Sequence, residues 1–342
     1  MDELAQELLA GEEAWVVGGA LRDELLGRPV VDLDVACREP EQAARAYANR
    51  SGGAPFPLSE RHGAWRVAFA DGRTVDFTPL RGTIEGDLAT RDFTVNAIAR
   101  PLAGGELVDP SGGVDDIALR SLRAVTETIF EDDPLRLLRA VRLEDELGFR
   151  LAPLTEELVR AQAGRAGEPA TERILAELER LSAAGFRRLD ELGLLAPLGG
   201  SLERADLLEA FDSPDFRLTV VFGPELTRYP ISNERKRFLR ALLRAERPAD
   251  GSRRAIHRFR RVTEPWALEA LAYLGASELA PAVQRGREED PDEPLLRGDE
   301  LGLPPGPEIG RLLALVEEER AAGTISTREE ALELVRRSVS GR

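Results

Sequence analysis

Residues 18–36 read GGALRDELLGRPVVDLDVA, and the order of residue types in this run decides the fold of the N-terminal third. Just before it, Ala14–Val17 is a short apolar strand that ends at Gly18-Gly19. Ala20–Leu26 has helical spacing, is stopped by Gly27 and is followed by Pro29, the usual order at a helix end. Val31–Ala36 then alternates strictly, with Val31, Leu33 and Val35 on one face and Asp32 and Asp34 on the other. Two residues apart on a strand, these aspartates are separated by roughly 6.5–7 Å at the backbone, and their tips can converge. They repel each other unless a cation lies between them. Hard divalent ions such as Mg2+ take oxygens of this kind and keep positions free for substrate phosphates. Gly18-Gly19 lets the backbone approach a ligand closely, and the amides opening the next helix face any anion in that turn, with Arg22 in reach. Each feature alone has a plain structural explanation, a solvated strand end or a simple glycine turn. Their succession within 19 residues points to a phosphate-handling site.

Outward from this run, Glu39–Asn49 reads as a helix, and Trp65–Ala70 and Thr74–Leu80 flank Asp71-Gly72, a hairpin signal. In the second of these strands Val75 and Phe77 point one way and Thr74, Asp76 and Thr78 the other, making Asp76 a candidate third carboxylate. From Asp133 onward the period is helical. Helices are expected at 134–147, 155–163, 171–183, 186–192, 204–210, 232–246, 264–274, 278–285, 307–322 and 327–338. Gly164–Pro169 is a break, and Glu288–Pro294 is an acidic, proline-containing linker. No repeat stands out. The fold class is α+β: an α/β head with a small mixed sheet over 1–123, then all-helical segments at 124–185, 186–287 and 288–342.

The chain has 342 residues, of which 42% are hydrophobic, without an apolar run of membrane-spanning length. Met1–Leu9 is acidic and amphipathic rather than a secretory signal, so a cytoplasmic location is expected, with no membrane partner. The lone Cys37 excludes an internal disulfide and reads as a filler residue. His62 and His257 are the only histidines, and a structural or surface role is expected for each. The net charge of −16 argues against nucleic acid at first sight, but binding follows local distribution. Residues 231–261 carry eleven basic residues against three acidic ones, including Arg235, Lys236, Arg253, Arg254 and Arg258. Lys236 is the only lysine, so phosphate contacts would fall almost entirely to arginine forks. The missing compensating acids favour a polyanion-binding face over a solvated one.

Further motifs extend the pattern: ATRDFTVNAIA at 89–99, VDPSGGVDDIALRSLRAV at 108–125, EDDPLRLLRAVRLEDELGF at 131–149, and Thr171-Glu172-Arg173. Together with GGALRDELLGRPVVDLDVA they resemble the bacterial tRNA nucleotidyltransferase and poly(A) polymerase family, the class II CCA-adding type, across residues 1–185. The tail resembles the same family in LLRGDELGLPPGPEIGRLL and TISTREEAL. The resemblance implies a polymerase-β-like head, a two-metal mechanism with Mg2+, and CTP, ATP and tRNA as partners. It implies that Asp32 and Asp34 hold the metals and that Gly18, Gly19 and Arg22 meet the phosphates. Arg91 would meet ribose or phosphate, and Asp133, Arg136, Arg139 and Arg142 would form the nucleotide pocket. Asp76 matches the third carboxylate.

The pocket has a physical logic of its own. Cytosine and adenine each present an amino donor beside a ring-nitrogen acceptor, which a carboxylate and a guanidinium match. Asp133 and Arg136 therefore fit C and A and mismatch U and G. Asp133 before Pro134 also reads as an ordinary helix cap, with Asp132 an alternative cap. On a helical wheel Arg142 falls about 180° from Asp133, so pocket membership weakens along the arginine series.

Three departures from the family pattern stand out: Thr90 replaces one of the usual paired arginines, Asp132 replaces a glutamate, and only Pro79–Gly86 joins the Asp76 strand to the next motif. Family members with a longer loop there use it to admit adenosine after two cytidines. The short connector favours CC addition, with a separate enzyme adding A, over full CCA addition. Poly(A) polymerase shares the head motifs, but a basic C-terminal extension is not seen. A catalytically inactive RNA-binding protein has no need of paired unshielded aspartates.

Overall fold

The computed structural model describes residues 3–59, 63–80, 82–290 and 293–340, in two compact units, 1–199 and 200–342. His62 lies outside the described residues. Among the described residues, six strands form one mixed sheet: β1 (Trp15–Val17), β2 (Asp32–Cys37), β3 (Ala54–Ser59), β4 (Ala64–Ala68), β5 (Thr74–Pro79) and β6 (Ala99–Pro101). Their order is β3-β4-β5-β2-β1-β6. β2 and β5 are parallel, and β1 runs antiparallel to both β2 and β6. A two-residue parallel pair, β7 (Ser121–Leu122) with β8 (Arg150–Leu151), ties the segment after the sheet to the helices that follow.

The first unit also holds α1 (Glu3–Leu8), α2 (Gly19–Leu25), α3 (Pro40–Ser51), α4 (Ile84–Ala89) and α5 (Gly113–Ala118). Helices α6 (Ile129–Asp132), α7 (Leu135–Leu147), α8 (Pro153–Ala161), α9 (Thr171–Leu178) and α10 (Ala183–Glu191) complete it. Val17 and Ala36 of the central strands pack with Ile84 and Leu88 of α4 and with Ala97 and Ala99, all buried. This apolar layer lies on the same sheet face as Asp32 and Asp34, further along β2 at Ala36, while Val35 and Phe77, in register and buried, back the strand on the opposite face.

The second unit is helical among the described residues: α11 (Pro214–Phe222), α12 (Asn233–Arg244), α13 (Arg253–Thr263), α14 (Ala267–Tyr273), α15 (Ala280–Glu289), α16 (Pro307–Ala321) and α17 (Arg328–Ser340). Leu296, Leu312, Val316, Ala331 and Val335 form a small core where α16 and α17 meet. No described helix is long and apolar enough to cross a membrane.

The α+β expectation holds, with local corrections. The edge strand β3 was hidden by Pro55 and Pro57, residues tolerated only at a sheet edge. The hairpin forms, but strands β4 and β5 end at Ala68 and begin at Thr74, so the loop is longer than a two-residue turn. Helices α11 and α13 were missed, 204–210 is only a short 3-10 turn at Ala205–Leu207, and Ser182 caps a new helix where 171–183 was expected to continue. Cys37 is buried and its thiol is pushed up to about 12, chiefly by burial, as a filler residue should be.

Candidate active site

A cavity of about 850 Å3 opens between the sheet and helices α7 and α9, and it brings together all eleven head and neck residues expected at the site. Asp32 and Asp34 arrive from β2, Asp76 from β5, Gly18, Gly19 and Arg22 from the β1–α2 turn, and Arg91 from the end of α4. Asp133, Arg136, Arg139 and Arg142 come from the start and inner face of α7.

Strand register explains the carboxylate arrangement. In the parallel β2–β5 ladder Asp34 lies beside Asp76, and Asp32 beside Thr74, whose hydroxyl donates to Asp32 Oδ1 at 2.7 Å. Burial, and then the charge of Asp76, push the Asp34 carboxyl up to about 6. Asp76 is held differently. Arg66 of β4, its cross-strand partner, donates to both oxygens at 2.7 Å. Among the described residues no three His, Cys, Asp or Glu side chains converge tightly enough to hold one ion.

The backbone of Gly18 runs against this cluster in a left-handed conformation, with φ +75°. A methyl group there would fall 2.8 Å from Arg91 Nη1 and 3.2 Å from Asp34 Oδ2, so only glycine fits. Arg91 is steadied by Asp87 one turn earlier at 3.1 Å. Arg22 is gripped by Asp23 and donates to Asn96 Oδ1 at 2.6 Å.

The arginine series on α7 is pinned by acids from other elements. Arg139 donates to Asp92 at 2.8 Å and lies 3.6 Å from Glu177 of α9. Arg142, only 5% exposed, bonds Glu177 at 2.5 Å and Glu146 at 2.8 Å. Asp92 is buried at the cavity wall, and burial opposes its charge. The Arg139 guanidinium, with donors from Asn96 and the Phe93 amide, nevertheless holds its carboxyl below the usual range. Arg136 donates to the carbonyl of Thr90 at 2.8 Å. Asp133 accepts the Leu135 amide on Oδ1 at 3.1 Å, as a capping residue does, and takes the Arg173 fork across both oxygens, at 3.4 Å on Oδ1 and 2.7 Å on Oδ2.

The expected weakening of pocket membership toward Arg142 is not observed, because Asp133 is extended (φ −147°) and precedes the helix. A wheel angle counted from it does not apply, and Arg136, Arg139 and Arg142 all reach one cavity.

Sequence reasoning missed Arg66, Asn96, Arg173, Glu177 and Arg180 as lining or supporting residues. Arg66 was not accessible, because a two-residue turn at Asp71-Gly72 would pair Asp76 with Val67, one residue off the observed register. Nor was Glu177, since its role depends on how α9 packs.

The basic run in the second unit is corrected in one respect. Its compensating acids are present but come from elsewhere in the sequence. Arg235 pairs with Asp215, Arg247 with Glu278, Arg253 with Glu289, Arg254 with Glu319, Arg258 with Glu318, and Arg260 with Glu264 and Asp290. The His257 side chain is largely buried nearby, 3.7 Å from Asp290. On α12, by contrast, Lys236, Arg237, Arg240 and Arg244 are exposed, and among the described residues none pairs with a carboxylate. They lie opposite the buried Phe238, Leu239 and Leu242.

A sheet carrying an Asp-x-Asp strand beside a glycine turn, roofed by an arginine-bearing helix, defines a nucleotidyltransferase-type head. The poly A polymerase head domain family matches residues 14–83 and 66–123. The A-adding tRNA nucleotidyltransferase of Deinococcus radiodurans is 34% identical over 95% of both chains. The CC-adding tRNA nucleotidyltransferase of Thermus thermophilus is 33% identical over 94% of this chain and 92% of the relative. Among solved structures, the Bacillus stearothermophilus CCA-adding enzyme in complex with CTP matches with TM-score 0.77 and 26% identity, covering 100% of this chain and 99% of that one. The chain belongs to the CCA-adding family of tRNA nucleotidyltransferases.

Proposed function

We propose that this enzyme adds cytidines to the 3′ end of tRNA and stops after two. The observation that carries the transfer reaction is the single cavity in which Asp32 and Asp34 face Arg22, Arg91 and the Asp133–Arg136 pair. The donor set suits a hard cation: aspartate oxygens on one strand face, with a glycine cradle that a Cβ would fill. When bound, Mg2+ there supplies activation of the attacking hydroxyl and neutralisation of developing phosphate charge. The chain's own residues do the rest. Asp32 and Asp34 hold the ions, Gly18, Gly19 and Arg22 orient the triphosphate, and Arg91 steadies the sugar or a phosphate. Asp133 has one acceptor position left on Oδ2, beside the Arg173 contact, to take a base amino group, while Arg136 donates to the adjacent ring nitrogen. Arg139 and Arg142 extend the cationic wall. Head, neck, body and tail are assigned to 1–123, 124–185, 186–287 and 288–342.

The stop after CC rests on the connector. Strand β5 ends at Pro79 and α4 begins at Ile84, capped by Thr83, which leaves too little chain for the longer loop that family members use to admit adenosine. A second reading, addition of A alone, is favoured by the near-full-length similarity to an A-adding relative. For the tRNA body we assign first contact to Lys236, Arg237, Arg240 and Arg244. Arg235, Arg253, Arg254 and Arg258 join only by leaving their carboxylates.

Purified protein is incubated with tRNA ending before CCA, or ending in CC, and with CTP, ATP or both. Products are sized on a gel. Two added residues from CTP and none from ATP on the CC-ending tRNA are expected. A third residue makes it a full CCA-adding enzyme, extension of only the CC-ending tRNA an A-adding one, and a ladder on any RNA a poly(A) polymerase.

A further inference from the structure

Asp76 is the one carboxylate of the central trio with both oxygens taken by a side-chain cation. Arg66 opposes it directly across the antiparallel β4–β5 ladder, and the guanidinium fork closes on Oδ1 and Oδ2 at 2.7 Å each. The pair is not a surface accident. The Asp76 side chain is 11% exposed and that of Arg66 33%, and both line the catalytic cavity. On its other side Asp76 is in register with Asp34. Neighbouring strands lie about 4.8 Å apart, so two negative charges stand side by side and need a cation between or beside them. Asp32 and Asp34 have no such fork. Among the described residues Asp32 takes only the Thr74 hydroxyl, and the Arg91 guanidinium near Asp34 is turned to Asp87.

We propose that Arg66 is a positioning residue that acts as a stand-in cation for Asp76. In the metal-free enzyme it engages the third carboxylate fully, so ion binding begins on Asp32 and Asp34, and Asp76 joins only by surrendering its guanidinium. Arg66 thereby lowers the intrinsic affinity of the site for a divalent ion while keeping the empty site from flying apart electrostatically. This rests on the reading of Asp32 and Asp34 as the metal site.

The test uses Mn2+ as probe and the full chain without nucleotide, with bound ion measured by electron paramagnetic resonance. Arg66→Gln should bind Mn2+ about fivefold more tightly than the parent, the scale of one half-exposed ion pair removed as competitor. Arg66→Lys, which keeps the charge but loses the fork, should fall between. The gain should vanish when Asp76→Asn is combined with Arg66→Gln. In EDTA the Arg66→Gln protein should melt lower than the parent and recover more on adding Mn2+. Equal or weaker Mn2+ binding by Arg66→Gln overturns the proposal, as does a gain that survives Asp76→Asn. Asp34→Asn read in parallel separates the two failures: if it binds Mn2+ like the parent, the metal-site reading itself falls.

Discussion

Asp34 shows most directly what a single side chain contributes. Buried and beside Asp76, its carboxyl is pushed up to about 6, against roughly 3.9 in an unfolded chain. A folded-state pKa above the unfolded one means that the native protein takes up a proton the unfolded chain does not. The resulting stability is present in full below about pH 4 and is lost as pH rises through about 6. Asp34→Asn should therefore stabilise the EDTA-treated protein near pH 7 by about 2 kcal/mol and leave it unchanged near pH 4. Equal shifts at both pH values in thermal melts would contradict this assignment. At this scale much was legible: alternation of Val31–Ala36 placed Asp32 and Asp34 on one face, and the two glycines marked the close approach that Gly18 makes. The partners of those residues were not. Nothing in the local sequence states that Asp76 is gripped by Arg66, because that requires the register of a hairpin whose loop is longer than its Asp-Gly signal suggests.

At the scale of elements, α7 is held in the cavity by acids that belong to its neighbours. Glu177 of α9 serves two arginines of α7 at once, Arg139 and Arg142. Glu177→Ala strips a deeply buried guanidinium of one partner and leaves it Glu146 alone. A loss of about 3 kcal/mol is expected, the low end for a broken buried pair, with Glu177→Gln recovering part of it. Denaturant unfolding monitored by circular dichroism checks this, and a loss below about 1 kcal/mol would mean that Glu146 suffices. The helices missed in the sequence have physical reasons. Pro214–Phe222 is dense in β-branched and aromatic residues, which favour strands, yet Ser213 caps it and burial on all sides lets it be helical. Arg253–Thr263 does carry its buried Ile256, Phe259 and Thr263 at helical spacing, but five arginines and His257 crowd the segment, so it reads first as a basic patch. The edge strand β3 was concealed by its prolines.

At the scale of the whole molecule, a chain of net charge −16 must present its RNA-binding charge locally. The basic run was visible in the sequence, but which of its charges are neutralised by carboxylates was not. The neutralising acids Glu289, Glu318 and Glu319 follow the arginines they pair with by 36 residues or more. Replacing Lys236, Arg240 and Arg244 together by glutamate should weaken tRNA binding at least tenfold at low salt and lower the log–log salt slope by about two to three. The double change of Arg253 and Arg254 should do less, and filter binding across a salt series would separate them. An equal or larger effect from the second pair would move the interface off α12.

If Asp32 and Asp34 hold the ions for nucleotide transfer in this cavity, loss of either carboxylate must stop incorporation. The most direct measurement compares the parent with Asp32→Ala and Asp34→Ala for CMP incorporation into tRNA lacking its last three nucleotides, with tRNA binding measured on the same preparations. A fall in rate of a thousandfold or more is expected, about 4 kcal/mol of barrier, while tRNA affinity stays within about twofold. Incorporation by either variant at a rate near that of the parent would contradict it.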